Sequence, residues 1–402
     1  MSSAFRAVQI SDRVFWVGAI DWGLRDFHGY ATSRGSTYNA YLVLADKVTL
    51  IDTVKAPFKG ELLSRISSVI EPSRINYIVS NHAEMDHSGC LPDIIEAVNP
   101  EKVFASPMGV AALTGHFGPE ERLTALKDGE TLSLGNMSLS SMETRMLHWP
   151  DSMMTFLHEG GVLFSQDGFG MHLATAALFA DQNDPSVLQF EGAKYFANIL
   201  MPMSKIVEKT LSKVGQSGWD IRVIAPDHGP VWRQDLGTMI GWYQTWAAQK
   251  PTMKAVVFFD TMWNSTATMA RVIGDGLSAA GALPKVMPLS GNHRSDVATE
   301  LLDAGALVVG TPTINNNMFP TVADTMTYLK GLKPAHKIGA VFGSFGWSGE
   351  APGHVEAALK DMGVTVIEPP LRVKYVPTPS DLDLCRQFGE RIGAKLKEHT
   401  GT

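Results

Sequence analysis

Short apolar runs broken by polar turns fill the first part of the chain. Arg13–Val17, Tyr38–Leu44 and Val48–Asp52 read as β-strands, the last two joined by the turn Ala45-Asp46-Lys47. Gly60–Ile70 follows with apolar residues at helical spacing. Ile75–Ser80 is apolar and runs into a polar, His-rich loop, and the same succession of strand and loop returns at Val103–Ala105, Val162–Ser165 and Ile221–Ala225. Near residue 250 the pattern changes at a polar, Pro-containing joint, Gln249-Lys250-Pro251-Thr252. Beyond it Ala255–Phe259, Lys285–Leu289, Ala306–Val309, Ile338–Phe342 and Val364–Ile367 alternate with helical stretches such as Thr266–Ala280 and Val355–Met362. That alternation predicts a five-stranded, doubly wound parallel sheet. Two domains are expected, residues 1–250 and 251–402, since single cores stop growing at roughly 250–300 residues.

Composition narrows the class. Hydrophobic residues make up 45% and charged residues 19%, enough apolar surface for a globular chain throughout. The start, MSSAFRAVQISDRVFWVGAIDW, lacks the basic and apolar regions of an export signal, and no stretch reaches the roughly 18–20 apolar residues of a membrane span. A soluble, cytoplasmic protein with no membrane partner is expected. A net charge of −7 without clustered Lys or Arg excludes a nucleic-acid surface. Cys90 and Cys385 are the only cysteines, so there is no CxxC pair, disulfide framework or in-chain iron–sulfur module. Any metal must be held by His and carboxylate.

Such residues are concentrated. The loop after Ile75–Ser80 reads Asn81-His82-Ala83-Glu84-Met85-Asp86-His87-Ser88-Gly89, with four potential ligands in six positions. His148, Asp167 and His228 stand at the ends of other predicted strands or in their loops. Strand ends on one rim of a sheet converge, so four imidazoles and three carboxylates can meet there. That set supplies two metals with three terminal ligands each and one shared carboxylate. Asp52 and Asp227 are candidates for orienting ligating imidazoles, or for ordinary turn and cap roles. His116 and His172 read as surface residues.

A second constellation lies beyond residue 250. Asp260-Thr261-Met262-Trp263-Asn264-Ser265-Thr266 follows a strand and opens a helix, collecting hydroxyls and backbone N–H groups where a phosphate binds. It lacks GxGxxG and GK[ST], whereas a Ser/Thr-rich loop is what flavodoxins use for the FMN monophosphate. Pro312-Thr313-Ile314-Asn315-Asn316-Asn317 and Ser344-Phe345-Gly346-Trp347-Ser348-Gly349 follow later strands at the same rim. In a flavodoxin-like domain these loops would flank the isoalloxazine, with Trp263 or Trp347 as a stacking face.

The spacing H-x-E-x-D-H at His82, Glu84, Asp86 and His87, with His148, Asp167 and His228, resembles the metallo-β-lactamase superfamily. Hydrolases of that superfamily usually carry H-x-H-x-D-H around zinc. Here Glu84 replaces the middle imidazole, which makes the site harder and shifts its preference from zinc toward iron. With this substitution and the flavodoxin-like second half, essentially the whole chain resembles the flavodiiron proteins in their minimal two-domain form. The resemblance implies an α/β chain, a metallo-β-lactamase-like αββα sandwich followed by a flavodoxin-like doubly wound parallel sheet domain. It assigns His82, Glu84 and His148 to one iron, Asp86, His87 and His228 to the other, and Asp167 as the bridge. His28 and Tyr195 match catalytic positions that line the diiron pocket and could donate hydrogen bonds to a bound diatomic.

The implied activity is reduction of dioxygen to water, with electrons passing from an external rubredoxin-type donor through FMN to the diiron centre. Nitric oxide reduction to nitrous oxide is the alternative at the same site. Two reduced irons and a reduced FMN together hold the four electrons that dioxygen takes. The resemblance also implies a head-to-tail homodimer, or a tetramer, pairing one subunit's flavin with the other's irons. A dizinc hydrolase fused to a flavodoxin and a non-enzymatic electron carrier are the competing readings.

Overall fold

A computed structural model describes residues 4–402 and resolves them into two units. The first comprises the chain up to His28 together with Thr32–Tyr195 and Lys205–Gln244; the second comprises Gly29–Ala31, Phe196–Ser204 and Thr245–Thr402. No helix among the described residues is long and apolar enough to cross a membrane.

In the first unit seven strands lie side by side in chain order: β1 (Val8–Ser11), β2 (Val14–Trp16), β3 (Tyr41–Val43), β4 (Thr49–Ile51), β5 (Tyr77–Ser80), β6 (Lys102–Ala105) and β7 (Leu123–Ala125). Pairing is antiparallel from β1 to β4 and parallel from β4 to β7. A second sheet holds β8 (Thr131–Ser133), β9 (Ser138–Glu143), β10 (Met153–Leu157), β11 (Val162–Gln166) and β12 (Val223–Pro226), with only the last pair parallel.

Successive residues of a strand face opposite sides, and both sides of the first sheet are covered. Tyr41, Val43, Ile51, Val79 and Phe104 join Leu139, Leu157, Phe164 and Val223 in the core between the sheets. Leu42, Leu50, Ile78 and Val103 turn the other way, toward Leu62, Ile66, Ile94, Val98 and Leu113 of the helices Lys59–Ser67, Leu91–Val98 and Pro107–Phe117. Double-sided burial is why these strands read as unbroken apolar runs. β9, by contrast, is serine-rich and gives a weak apolar signal; neither it nor its neighbours β8 and β10 stood out in the sequence pattern.

Several expected boundaries move. Tyr38–Leu44 is two strands, Ser36–Tyr38 and β3, interrupted at the buried Asn39. The Asn39 amide donates to Pro226 O at 2.7 Å and Gly229 O at 2.9 Å, which ties the break to the loop after β12. β4 stops at Ile51 because Asp52 adopts a left-handed φ of 56°. Ile221 and Arg222 precede β12, which begins at Val223.

In the second unit β13 (Thr252–Phe259), β14 (Leu283–Pro288), β15 (Ala304–Gly310), β16 (Ile338–Phe345) and β17 (Thr365–Val366) form a parallel sheet in the order β14-β13-β15-β16-β17. The fifth strand, expected at Val364–Ile367, is shorter, and β18 (Leu371–Lys374) resumes pairing with β16 farther along. Pro369 and Pro370 lie in the gap and offer no N–H to a ladder. The helices Ser265–Ala279 and Pro379–Thr400 cross at glycines: a β-carbon on Gly276 would stand 2.1 Å from Arg386 O, and one on Gly389 2.2 Å from Ile273 O. Strand order reverses between β13 and β15, and a crevice at the carboxyl ends of the strands is where such sheets bind ligands.

Candidate functional site

The carboxyl ends of β5, β11 and β12 carry the dense loop, Asp167 and His228 respectively, while His148 lies on the connection from β9 to β10. Within the first unit the seven sequence-predicted ligands gather into two buried or nearly buried groups: His82, Glu84, His148 and Asp167, and Asp86, His87 and His228. In each group the ligand atoms all lie within 4.8 Å of one another.

Asp167 serves both groups. Its Oδ2 lies 3.3 Å from His82 Nε2 and 2.9 Å from His148 Nε2, whereas Oδ1 lies 3.3 Å from His87 Nε2 and 3.5 Å from His228 Nε2. Glu84 Oε2 closes the first group at 3.2 Å from His148 Nε2 and 3.4 Å from His82 Nε2. Asp86 closes the second, with Oδ2 3.2 Å from His228 Nε2 and Oδ1 3.4 Å from His87 Nε2. All four imidazoles thus point Nε2 inward.

The opposite ring nitrogens are held from behind. His82 Nδ1 lies 3.0 Å from Asp151 Oδ2, which also accepts the Ala83 N–H at 2.6 Å. His228 Nδ1 donates to the Thr37 carbonyl at 2.6 Å. His87 Nδ1 faces Asp227 Oδ2 at 3.6 Å. Such outer partners fix the ring tautomer and aim the inner nitrogen at a metal. Asp52 does not do this: its carboxylate accepts the Asn81 N–H at 2.6 Å and the Asn81 amide at 2.8 Å, so it fastens the ligand loop and not an imidazole.

The donor set fits a cation pair. His82 Nε2, His87 Nε2, both Asp86 oxygens and Asp167 Oδ1 are buried without a hydrogen bond. Leaving so many polar atoms unsatisfied is costly unless a cation takes their lone pairs. Burial alone would raise the Asp167 carboxyl, but the charge of His87, the hydrogen bond from His148 and the neighbouring His82 imidazole hold it well below the usual carboxylate range.

His172, read from the sequence as a surface residue, is buried against this site. Its Nδ1 lies 2.8 Å from Ser36 Oγ and its ring centroid 4.6 Å from that of His228. The expectation failed because the stretch around His172 carries no regular element whose periodicity would reveal its facing. His116 is exposed. Tyr195 is buried with its ring 5.1 Å from His172 and 6.0 Å from His228, and His28, although exposed, brings Nε2 to 3.4 Å from Glu84 Oε1. Asp151, three residues past His148, was detectable as one more carboxylate in a ligand loop; the Thr37 carbonyl has no side-chain signature at all.

In the second unit a cavity of about 640 Å³ opens at the carboxyl ends of the strands, within the range of ligand pockets. Met262, Trp263 and Ser265 line it after β13, residues 312–316 after β15, and residues 344–348 at and past the end of β16. Thr266 is buried beneath, its hydroxyl 2.8 Å from Ser344 Oγ. Thr261, Asn264, Asn317 and Gly349 do not line the cavity. Asn264 takes a left-handed φ of 66° just before the helix Ser265–Ala279, and Asn317 pairs with Ile314 in a small ribbon. Tyr375 and Val376, past β18, line it as well and were not anticipated.

Comparison with known proteins agrees with both halves. The ODP family beta lactamase matches residues 37–229, and the flavodoxin family matches residues 257–389. A rubredoxin-oxygen oxidoreductase of Megalodesulfovibrio gigas is 45% identical over 396 residues, 98% of each chain. A nitric oxide reductase of Moorella thermoacetica is 42% identical over 395 residues, covering 97% of this chain and 99% of the relative. Among solved structures, the rubredoxin oxygen:oxidoreductase from Desulfovibrio gigas superimposes with a TM-score of 0.97 at 43% identity, covering 99% of this chain and 100% of its own. The flavodiiron protein from Giardia intestinalis does so with a TM-score of 0.95 at 33% identity, over 98% of each. With paired ligand groups on a β-lactamase-like unit, a cleft on a flavodoxin-like unit and full-length relatives of this kind, the chain belongs to the flavodiiron protein family.

Proposed function

We propose that this chain is an oxidoreductase that reduces dioxygen to water, with nitric oxide reduction at the same site as the second reading. The observation that carries it is Asp167, whose two oxygens face two different ligand groups and so suit a binuclear centre. Glu84 in a place where an imidazole would favour zinc supports iron, because a harder, more anionic ligand set suits that metal. His82, Glu84 and His148 would hold one iron, Asp86, His87 and His228 the other, with Asp167 between them. The loops lining the second unit's cavity would hold FMN. When bound, the irons supply gas binding and redox equivalents, and the flavin relays electrons singly or in pairs.

The chain's own residues set the conditions for that chemistry. Asp151 and the Thr37 carbonyl fix the His82 and His228 rings. Tyr195, whose ring centroid lies 6.0 Å from that of His228, and His28, 3.4 Å from Glu84, border the ligand groups and would offer hydrogen bonds to a bound gas. Relatives named for oxygen reduction and for nitric oxide reduction stand at 45% and 42% identity, so identity alone does not separate the gases. A rubredoxin-type donor follows from the name of the first. The reading extends to functional domains at residues 1–250 and 251–402, a cytoplasmic location and a head-to-tail homodimer, which sedimentation of the loaded protein tests.

The decisive experiment combines metal analysis with anaerobic turnover on a rubredoxin-type donor, offering each gas to one batch of enzyme. Two irons per chain and rapid consumption of dioxygen are expected. Bound zinc with esterase activity overturns the proposal. Asp167→Ala is expected to lower the metal content to at most one per chain and abolish gas reduction; full-rate turnover by that variant is incompatible with the bridge.

A further inference from the structure

The cavity of the second unit has a wall that the three expected flavin loops do not supply. Tyr375 and Val376 share the lining with Met262, Pro312 and Trp347. The Tyr375 N–H donates to Phe345 O at 2.7 Å, one step beyond the paired residues Phe345 and Lys374, so β18 places Tyr375 beside the end of β16. There the backbone takes a φ of 61°, a left-handed conformation that residues with a β-carbon seldom adopt. A β-carbon built on Gly346 would stand 3.4 Å from Tyr375 Cε1, so the ring lies over the bare face of Gly346.

Beyond the Lys374 ammonium, 5.4 Å from its ring centroid, Tyr375 gains little from packing. The Tyr375 side chain is left 61% exposed, so burial gives little to offset a disfavoured backbone. Strain held at an exposed position points to a ligand-facing role. None of the cavity-lining residues is charged, and Trp263 and Trp347 present faces that are 88% and 85% exposed. An uncharged cleft rimmed by exposed aromatic faces suits a flat, apolar ring system.

We propose that Tyr375 is a flavin-positioning residue. Its ring walls the isoalloxazine cleft over Gly346, and its N–H bond to Phe345 O ties that wall to the strand end from which the loop 344–348 departs. The inference rests on the FMN reading above and adds to it a residue from outside the three loops. Its consequence is that Tyr375 tunes both the fit of the flavin and the electronic environment of the ring.

The test uses the full-length flavin-free protein titrated with FMN, followed by quenching of flavin fluorescence, with visible circular dichroism and one-electron potentials of the bound flavin as further readouts. Tyr375→Ala is expected to weaken FMN binding about tenfold, as for loss of an aromatic contact. It should also change the dichroism and shift the potentials, while Tyr375→Phe keeps all three near wild type. Unchanged affinity and potentials in Tyr375→Ala overturn the proposal. So does weaker binding with unaltered dichroism and potentials, since the ring would then merely add contact area. If Tyr375→Ala melts early, Tyr375→Leu carries the same expectations. A wild-type chain that binds no FMN sinks the flavin reading itself, and is recognised before any variant is compared.

Discussion

At the scale of single residues, the candidate metal site is built from behind as much as from within. Asp151 is the clearest case, because it accepts from both His82 Nδ1 and the Ala83 N–H and so fixes ring and loop together. Asp151→Ala is expected to lower metal affinity by roughly 10–100-fold, the usual cost of losing such a partner. Chelator competition at equilibrium measures it, and an affinity equal to wild type would show that His82 needs no orienting group. The inward-facing ligands were legible in the sequence because four of them crowd into one loop. Their supports were not, for different reasons. The Thr37 carbonyl is backbone and leaves no trace in residue identity, and His172 sits in an irregular stretch where no period tells inside from outside.

At the scale of elements, sequence pattern found most strands that are apolar on both faces, although it missed β10, and faltered where a strand is polar. β5, β6, β13, β15 and β16 stand out as short apolar runs, whereas serine-rich β9 does not. Breaks inside apolar runs were also missed, since Asn39 is recognisable as an interruption only once its amide is seen bonded to Pro226 and Gly229. The crossing of the helices Ser265–Ala279 and Pro379–Thr400 is another feature invisible to periodicity, because the glycines matter for what they lack. Gly276→Val places a β-carbon where the Arg386 carbonyl already lies, and backbone cannot swing aside as a side chain can. A loss of about 3 kcal/mol is expected from such overpacking, read from urea melts of the full chain. A melt coincident with wild type would mean that the two helices slide freely past each other.

At the scale of the whole molecule, the two candidate sites are built from different units: every ligand of the metal groups belongs to the first, and the cavity lining to the second. Stripping the flavin is therefore expected to leave the metal content of the chain unchanged within error, as measured by elemental analysis before and after. A parallel loss of metal would show that each site needs the other for its own stability.

The divided fifth strand of the second unit has a consequence for how this chain tolerates change in length. β18 takes its register from β16 alone, so past Ile367, whose N–H still donates to Gly339 O at 3.0 Å, and Glu368, paired with Arg391, only Pro369 and Pro370 bridge the two strands. Once flexible residues lengthen such a bridge, each further doubling adds only about 0.6 kcal/mol of closure entropy. New sequence, whether acquired in evolution or grafted as a tag, can enter at Pro369 without moving Tyr375 from its cleft.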